Sequence, residues 1–196
     1  MPSHKTWSRT LSVLLLALAG CAGPDGGGKG ARADAPLLFD GLGPYARADS
    51  GANEAARPYV DQGMVFLYGF NHDEAIRSFQ EATRRDPSCA LAWWGVAYAS
   101  GPHVNNGDMT EAKSKLAFET AAKAAELADG APAPIAALCR AIPSRYAWPA
   151  PADRQPLNAA FAEKMRAIWK AHPNDADVGC VFAESMMNLR PWDYWK

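Results

Sequence analysis

The sequence has no surplus of charge. Lys and Arg number 20 and Asp and Glu 21, for a formal net charge of −1. Residues 1–20 hold Lys5 and Arg9 and no acid, so without them 18 basic residues face 21 acidic ones, a net of −3. A protein that grips nucleic acid through phosphates needs a basic excess or stripe, and there is none, nor an acidic or basic tail. Apolar runs are short. The longest, around residues 11–18, is far below the roughly 20 residues a membrane-spanning helix needs. Runs of β-branched residues are scarce while Ala and Trp are frequent, which favours helices over strands. There is no nucleophile elbow, no paired zinc-ligand spacing and no Gly-rich nucleotide loop after a strand, so neither an enzymatic activity nor a cofactor is expected. What remains is a chain 48% hydrophobic, enough for one domain with a real core.

The first residues read as an address. Lys5 and Arg9 precede the apolar run, and the run ends Leu18-Ala19-Gly20-Cys21. That order resembles the lipobox of bacterial lipoproteins: an apolar stretch, a small-residue cleavage site, then Cys at once. The resemblance implies that residues 1–20 are removed and that Cys21 carries acyl chains such as palmitate, each buried methylene adding about 0.8 kcal/mol of membrane affinity. It also implies the cell envelope. Ala22, where an Asp usually signals inner-membrane retention in Gram-negative lipoproteins, points to the outer membrane facing the periplasm. Residues 21–36 include Gly23-Pro24-Asp25-Gly26-Gly27-Gly28-Lys29-Gly30, a flexible tether and not a phosphate loop, since Lys29 is followed by Gly30. Order is expected from Leu37, where Leu37-Leu38-Phe39 offers apolar side chains to the first helices.

From Tyr59 the spacing becomes periodic. Tyr59, Gly63 and Phe66 lie on one predicted helix, Ala75, Phe79 and Ala82 on the next, and Pro87 ends the pair. Gly63 and Ala75 are small where two helices must cross, and Phe66 and Phe79 fill the space beside them. Trp93 follows Tyr59 by 34 residues, and Ala97 follows Gly63 by 34. This pattern resembles the tetratricopeptide repeat, with Gln62 standing where Leu is usual. Ser88 is the expected N-cap of the third helix, and Asp108-x-x-Glu111 a capping box for the fourth. A third pair is expected over 133–146 and 156–171, and the first helix of a fourth over 175–189. The expected fold for 37–196 is therefore all-α, an α-α superhelix of about three and a half tetratricopeptide-like pairs. Gly69 to Ala75, Trp93-Trp94-Gly95 and Asn188 to Trp192 resemble a group of larger bacterial tetratricopeptide proteins. That likeness, and three aromatic residues after the last helix where a solenoid needs a polar cap, lead to the expectation of further repeats downstream.

The turns of such an array fall along one edge, which collects Asn71, His72, His103, Asn105, Asn106, Tyr146, Trp148, Arg190 and Trp192. These residue types recur in partner sites, although Asn and His also cap helices and aromatics seal loops. His72 and His103 together form an alternative metal site that needs a third ligand, Asp73 or Glu74. His172, before Pro173, reads as a helix C-terminal residue. Cys89, Cys139 and Cys180 read as buried packing, with a Cys139–Cys180 bridge as the alternative and a reactive thiol after that. Phe66, Trp93 and Trp94 read as core. Asp61, Gln62, Met64 and Tyr68 are candidates to face a concave groove of the kind that takes a peptide or helix in this family. The expected function is a lipid-anchored envelope scaffold that binds a protein or peptide partner. The alternative is an envelope protein binding a metal or small ligand at the His72/His103 edge.

Overall fold

The periodicity that marks residues 57–99 translates into three helices whose crossings are set by small residues. The computed structural model describes residues 38–193, and all regular secondary structure among them is helical. The expected signal peptide, Cys21, the tether and Leu37 lie outside the described residues. The elements are α1 (Arg57–Tyr68), α2 (His72–Arg85), α3 (Ala90–Ala99), α4 (Glu111–Glu126), α5 (Ala133–Ala141), α6 (Gln155–Ala171) and α7 (Ala176–Met187). A single 3-10 turn, Ala128–Gly130, precedes α5, and another, Ile142–Arg145, follows it. Pro58, Pro134 and Pro156 sit in the first turns of α1, α5 and α6, where a missing N–H costs nothing.

α1 packs on α2, α2 on α3, and α3 on α4. α3 is central: of its ten residues only Trp93 is not buried. Phe79 of α2 is the key of the first layer. Its ring is fully buried and lies flat against backbone on two sides. A Cβ added at Gly63 of α1 would stand 2.7 Å from it, and one at Gly95 of α3 would stand 2.5 Å from it. The helices approach that closely only because both positions lack a side chain. α2 carries Asp73 and Glu74 in its first turn and Arg84 and Arg85 in its last, complementing the helix dipole.

Several expected details change. The N-cap of α3 is Cys89, not Ser88, whose hydroxyl instead donates to Asp86 at 2.6 Å. The cap of α4 lies two residues beyond the expected one: Thr110 caps the helix and accepts from the Lys113 N–H, while Asp108 donates its own N–H to Asn106. Cap-competent residues crowd this stretch, and the tertiary position of the chain selects among them. Helix α5 is nine residues, ending where the 3-10 turn begins at Ile142. Trp94 is core, whereas Phe66 and Trp93 are half-buried and pack against its margin. Gln62 and Met64 do not face a groove, since both are buried. The Gln62 amide donates to Ser78 Oγ on α2 at 3.1 Å, and its oxygen accepts the Phe39 N–H at 2.9 Å. Asp61 is likewise occupied, accepting the Arg47 N–H.

The segment before α1 is bound to α1 and to the start of α7. The Phe39 ring meets Phe66 edge-on at 5.7 Å. Arg47, almost fully buried, pairs with Asp175 and Asp177 at the start of α7. Tyr45 and Tyr68 also donate their hydroxyls to Asp177, at 2.9 and 2.5 Å. α7 packs chiefly on α6, but its polar side chains reach back to the first helices. Asp177 meets Tyr68 at the end of α1, and Glu184 meets Tyr98 near the end of α3 at 2.5 Å. Seven residues of helix span about 10 Å, so α7 bridges α1 and α3.

Candidate functional site

The turn between α1 and α2 has an unusual composition for its backbone. The Asn71 N–H bonds the Phe66 carbonyl and the Phe70 N–H bonds the Leu67 carbonyl. These two bonds define a Schellman motif in which Phe70 holds the left-handed position, φ 59°. Gly is the usual occupant, because a Cβ there costs about 1 kcal/mol. Phe70 bears that cost with its ring half exposed. Its ring lies 5.9 Å from that of His72 and 6.1 Å from that of His103. His72 and His103 stack, ring centres 4.0 Å apart and planes 17° from parallel.

Behind this cluster is a pocket of about 290 Å³ between the end of α1, the 103–106 turn and α7. Leu67, Val104, Val181 and Met187 supply aliphatic walls, and Tyr68 and Phe70 stand at its rim, both partly exposed. His72, Tyr98 and Glu184 supply its polar groups. Glu184 accepts the Tyr98 hydroxyl and the Val104 N–H at 3.2 Å, both neutral donors. Arg145 is buried behind Tyr98, its guanidinium 4.5 Å over that ring and donating to the Pro102 carbonyl. Burial lowers both imidazoles from their ordinary 6.5; the Phe70 carbonyl partly offsets this at His72, and the neighbouring His72 lowers His103 further. Both rings are therefore neutral near pH 7. His72 Nδ1 lies 3.1 Å from the Phe70 carbonyl and must carry its proton, leaving Nε2 bare. His103 Nδ1 accepts the Asn105 N–H, which places its proton on Nε2.

Of the edge residues, the structure brings His72 and His103 together. Asn105 and Asn106 are exposed and shape the turn that ends at Asp108, with His103 and Asn106 exchanging backbone hydrogen bonds at 2.9 Å. Asn71 is exposed at the N-cap of α2 without a capping bond. Tyr146 departs from the edge: it is buried and donates its hydroxyl to the Ala97 carbonyl at 2.7 Å. Trp148 is half-buried, and Arg190 and Trp192 are exposed, and none of the three lines the pocket. The third ligand expected for a metal is engaged elsewhere, Asp73 with Lys113 at 2.9 Å and Glu74 with Arg77. Among the described residues no group of three His, Cys, Asp or Glu side chains is arranged to hold a metal ion. Near-parallel imidazoles also offer no point that lies in both ring planes, where their lone pairs point. Cys89, Cys139 and Cys180 are all free thiols, the first two buried and the third exposed, so the Cys139–Cys180 bridge and the burial of Cys180 are both corrected.

Tyr68, expected to face a concave groove, is partly exposed and lines this pocket instead, while sequence reasoning missed Phe70, Tyr98 and Glu184. Phe70 had a signal, an aromatic in a turn position that calls for Gly or Asn. Glu184 had none, because its partners lie 80 and 86 residues away in the chain. Comparison with family models, with curated proteins and with solved structures found no match.

Proposed function

We propose that this chain is a lipid-anchored scaffold of the bacterial cell envelope, held in the outer membrane through Cys21 and built from tetratricopeptide-like helix pairs. Its partner, a protein or peptide, docks at the turn edge around Phe70 rather than along a concave groove. The observation that carries this reading is Phe70 itself. A half-exposed aromatic in a left-handed position lowers stability where Gly would not, and strain of this kind collects at functional sites. Support for the repeat comes from α1, α2 and α3 locked around Phe79. The lipobox order at Cys21 supports the anchor. The groove expected from Asp61, Gln62 and Met64 is an unsuitable site, because those side chains are engaged inside the fold.

The test is crosslinking capture from intact cells with the full chain, its Cys21→Ala form and its Phe70→Gly form. The reading expects membrane fractionation that Cys21→Ala abolishes and one or two defined envelope proteins whose capture Phe70→Gly abolishes. Equal capture by the wild type and Phe70→Gly sinks it. A second reading, a small-ligand protein, is favoured by one observation, the pocket walled mainly by apolar side chains. Its metal-binding form has lost its third ligand.

A further inference from the structure

Glu184 is the one acidic side chain among the pocket's lining residues, which include no Lys or Arg. Several other acids have a cation in contact: Asp175 and Asp177 have Arg47, Glu81 has Arg84 and Arg85, Glu74 has Arg77 and Asp73 has Lys113. Glu184 has hydrogen bonds from a neutral hydroxyl and a neutral amide, and among the described residues no Lys, Arg or His nitrogen comes within ion-pair distance of it. Arg145 is the nearby cation and the Glu184 charge acts on it at longer range, but its guanidinium rests on the Tyr98 and Phe161 rings and bonds a carbonyl, so it does not touch the carboxylate. A half-buried carboxylate facing an apolar space with no cation in contact leaves room for one, and an ammonium entering that space would gain a direct ion pair. The walls fit the same guest. Leu67, Val104, Val181 and Met187 suit an alkyl stem, and Tyr68 and Phe70 present ring surface that attracts a cation. The volume of about 290 Å³ is at the lower end for ligand pockets, which suits one side chain better than a cofactor.

From this geometry we infer that the pocket takes a lysine side chain of the partner polypeptide, its stem along the aliphatic walls and its ammonium at the Glu184 carboxylate. This rests on the scaffold reading and specifies what the partner must present. No bond is made or broken, and the ammonium keeps its proton.

The experiment is a calorimetric titration of the full chain at neutral pH with a short unstructured peptide carrying one central Lys. A twin peptide with norleucine there has the same stem and no charge. The lysine peptide is expected to bind about tenfold or more tightly than its twin, as losing a charge-assisted contact implies. Glu184→Gln should abolish that difference while keeping an acceptor for Tyr98. Phe70→Gly should weaken both peptides several-fold with thermal stability kept or raised, which separates a lost site from a lost fold. Equal affinity for the two peptides, no effect of Glu184→Gln, or no binding of the lysine peptide overturns the inference. If the lysine peptide fails while capture in cells still depends on Phe70, this inference falls and the scaffold reading stands. If the peptide binds as expected while cells yield no partner, the scaffold reading falls and the ammonium site stands.

Discussion

The imidazoles of His72 and His103 face each other at 4.0 Å between ring centres, although 31 positions separate them in the chain. Two neutral rings tolerate this contact, and one protonated ring does not tolerate a second beside it. Phe70, Asp73, Lys113, Glu184 and Arg145 complete the surroundings. Both folded pKa values lie below 6.5, so the unfolded chain binds protons first as pH falls. Stability should therefore be constant above that value and decline as pH drops from 6.5 through the folded values. Urea unfolding across that window checks it, and His103→Gln should reduce the decline. An unchanged slope in that variant would show that the pair is not the source.

Phe79 leaves no room for a methyl group on either side. Gly95→Ala places a Cβ 2.5 Å from its ring. The helix-propensity gain of about 1 kcal/mol should be outweighed by an overpacking cost of about 1–3 kcal/mol, lowering the melting temperature. Shrinking the ring, with Phe79→Leu in the Gly95→Ala background, should recover part of the loss relative to adding the two single effects. Simple additivity would mean that the two residues do not meet as described.

Arg47 holds the segment before α1 to the start of α7, with side chains of 7% exposure on Arg47 and 14% and 13% on Asp175 and Asp177. Arg47→Ala leaves two acids without their cation and should cost about 3 kcal/mol, the scale for breaking a buried pair from one side. Burial raises the Asp175 carboxyl, but the Arg47 guanidinium and the Val178 N–H outweigh it and hold it below its usual 3.8. That contribution is present above 3.8 and is lost as pH falls through the lower folded value. Wild type and Arg47→Ala should therefore converge progressively as pH falls below 3.8, which melting curves taken in steps from pH 7 downward would show. A constant gap would exclude the clasp as its origin.

The thiols should separate cleanly in a Cys21→Ala chain. Burial pushes Cys89 up to about 11 and Cys139 up to about 12, and both are enclosed. Cys180 is exposed, at the pocket wall. A thiol-specific chromogenic reagent at neutral pH should titrate one group in the native chain and three after denaturation. Rapid labelling of two or more in the native chain would contradict this packing.

Helix existence was legible because it is a local property. Gly63, Ala75, Phe79 and Ala82 carry the first pair at spacings that any reader of the sequence can count, and Pro87 ends it where an X-Pro step must. Boundaries were less legible where several residues compete for one role, as Asp108 and Thr110 do for the cap of α4. The candidate site was half legible. His72 and His103 stand out as rare residue types in corresponding turns, and the turns meet. Trp148, Arg190 and Trp192 share that edge in sequence logic but do not line the pocket.

The sequence by itself determined an all-helical chain, the pairing of its early helices through small residues and the two histidine-bearing turns, since all of these follow from contacts between near neighbours. Only the tertiary structure decided that α7 turns back to bridge α1 and α3, that Arg47 clasps its start, and that Glu184 faces an apolar pocket with no cation in contact. Each of those depends on groups about 80 to 130 positions apart, and no periodicity encodes which distant side chains meet.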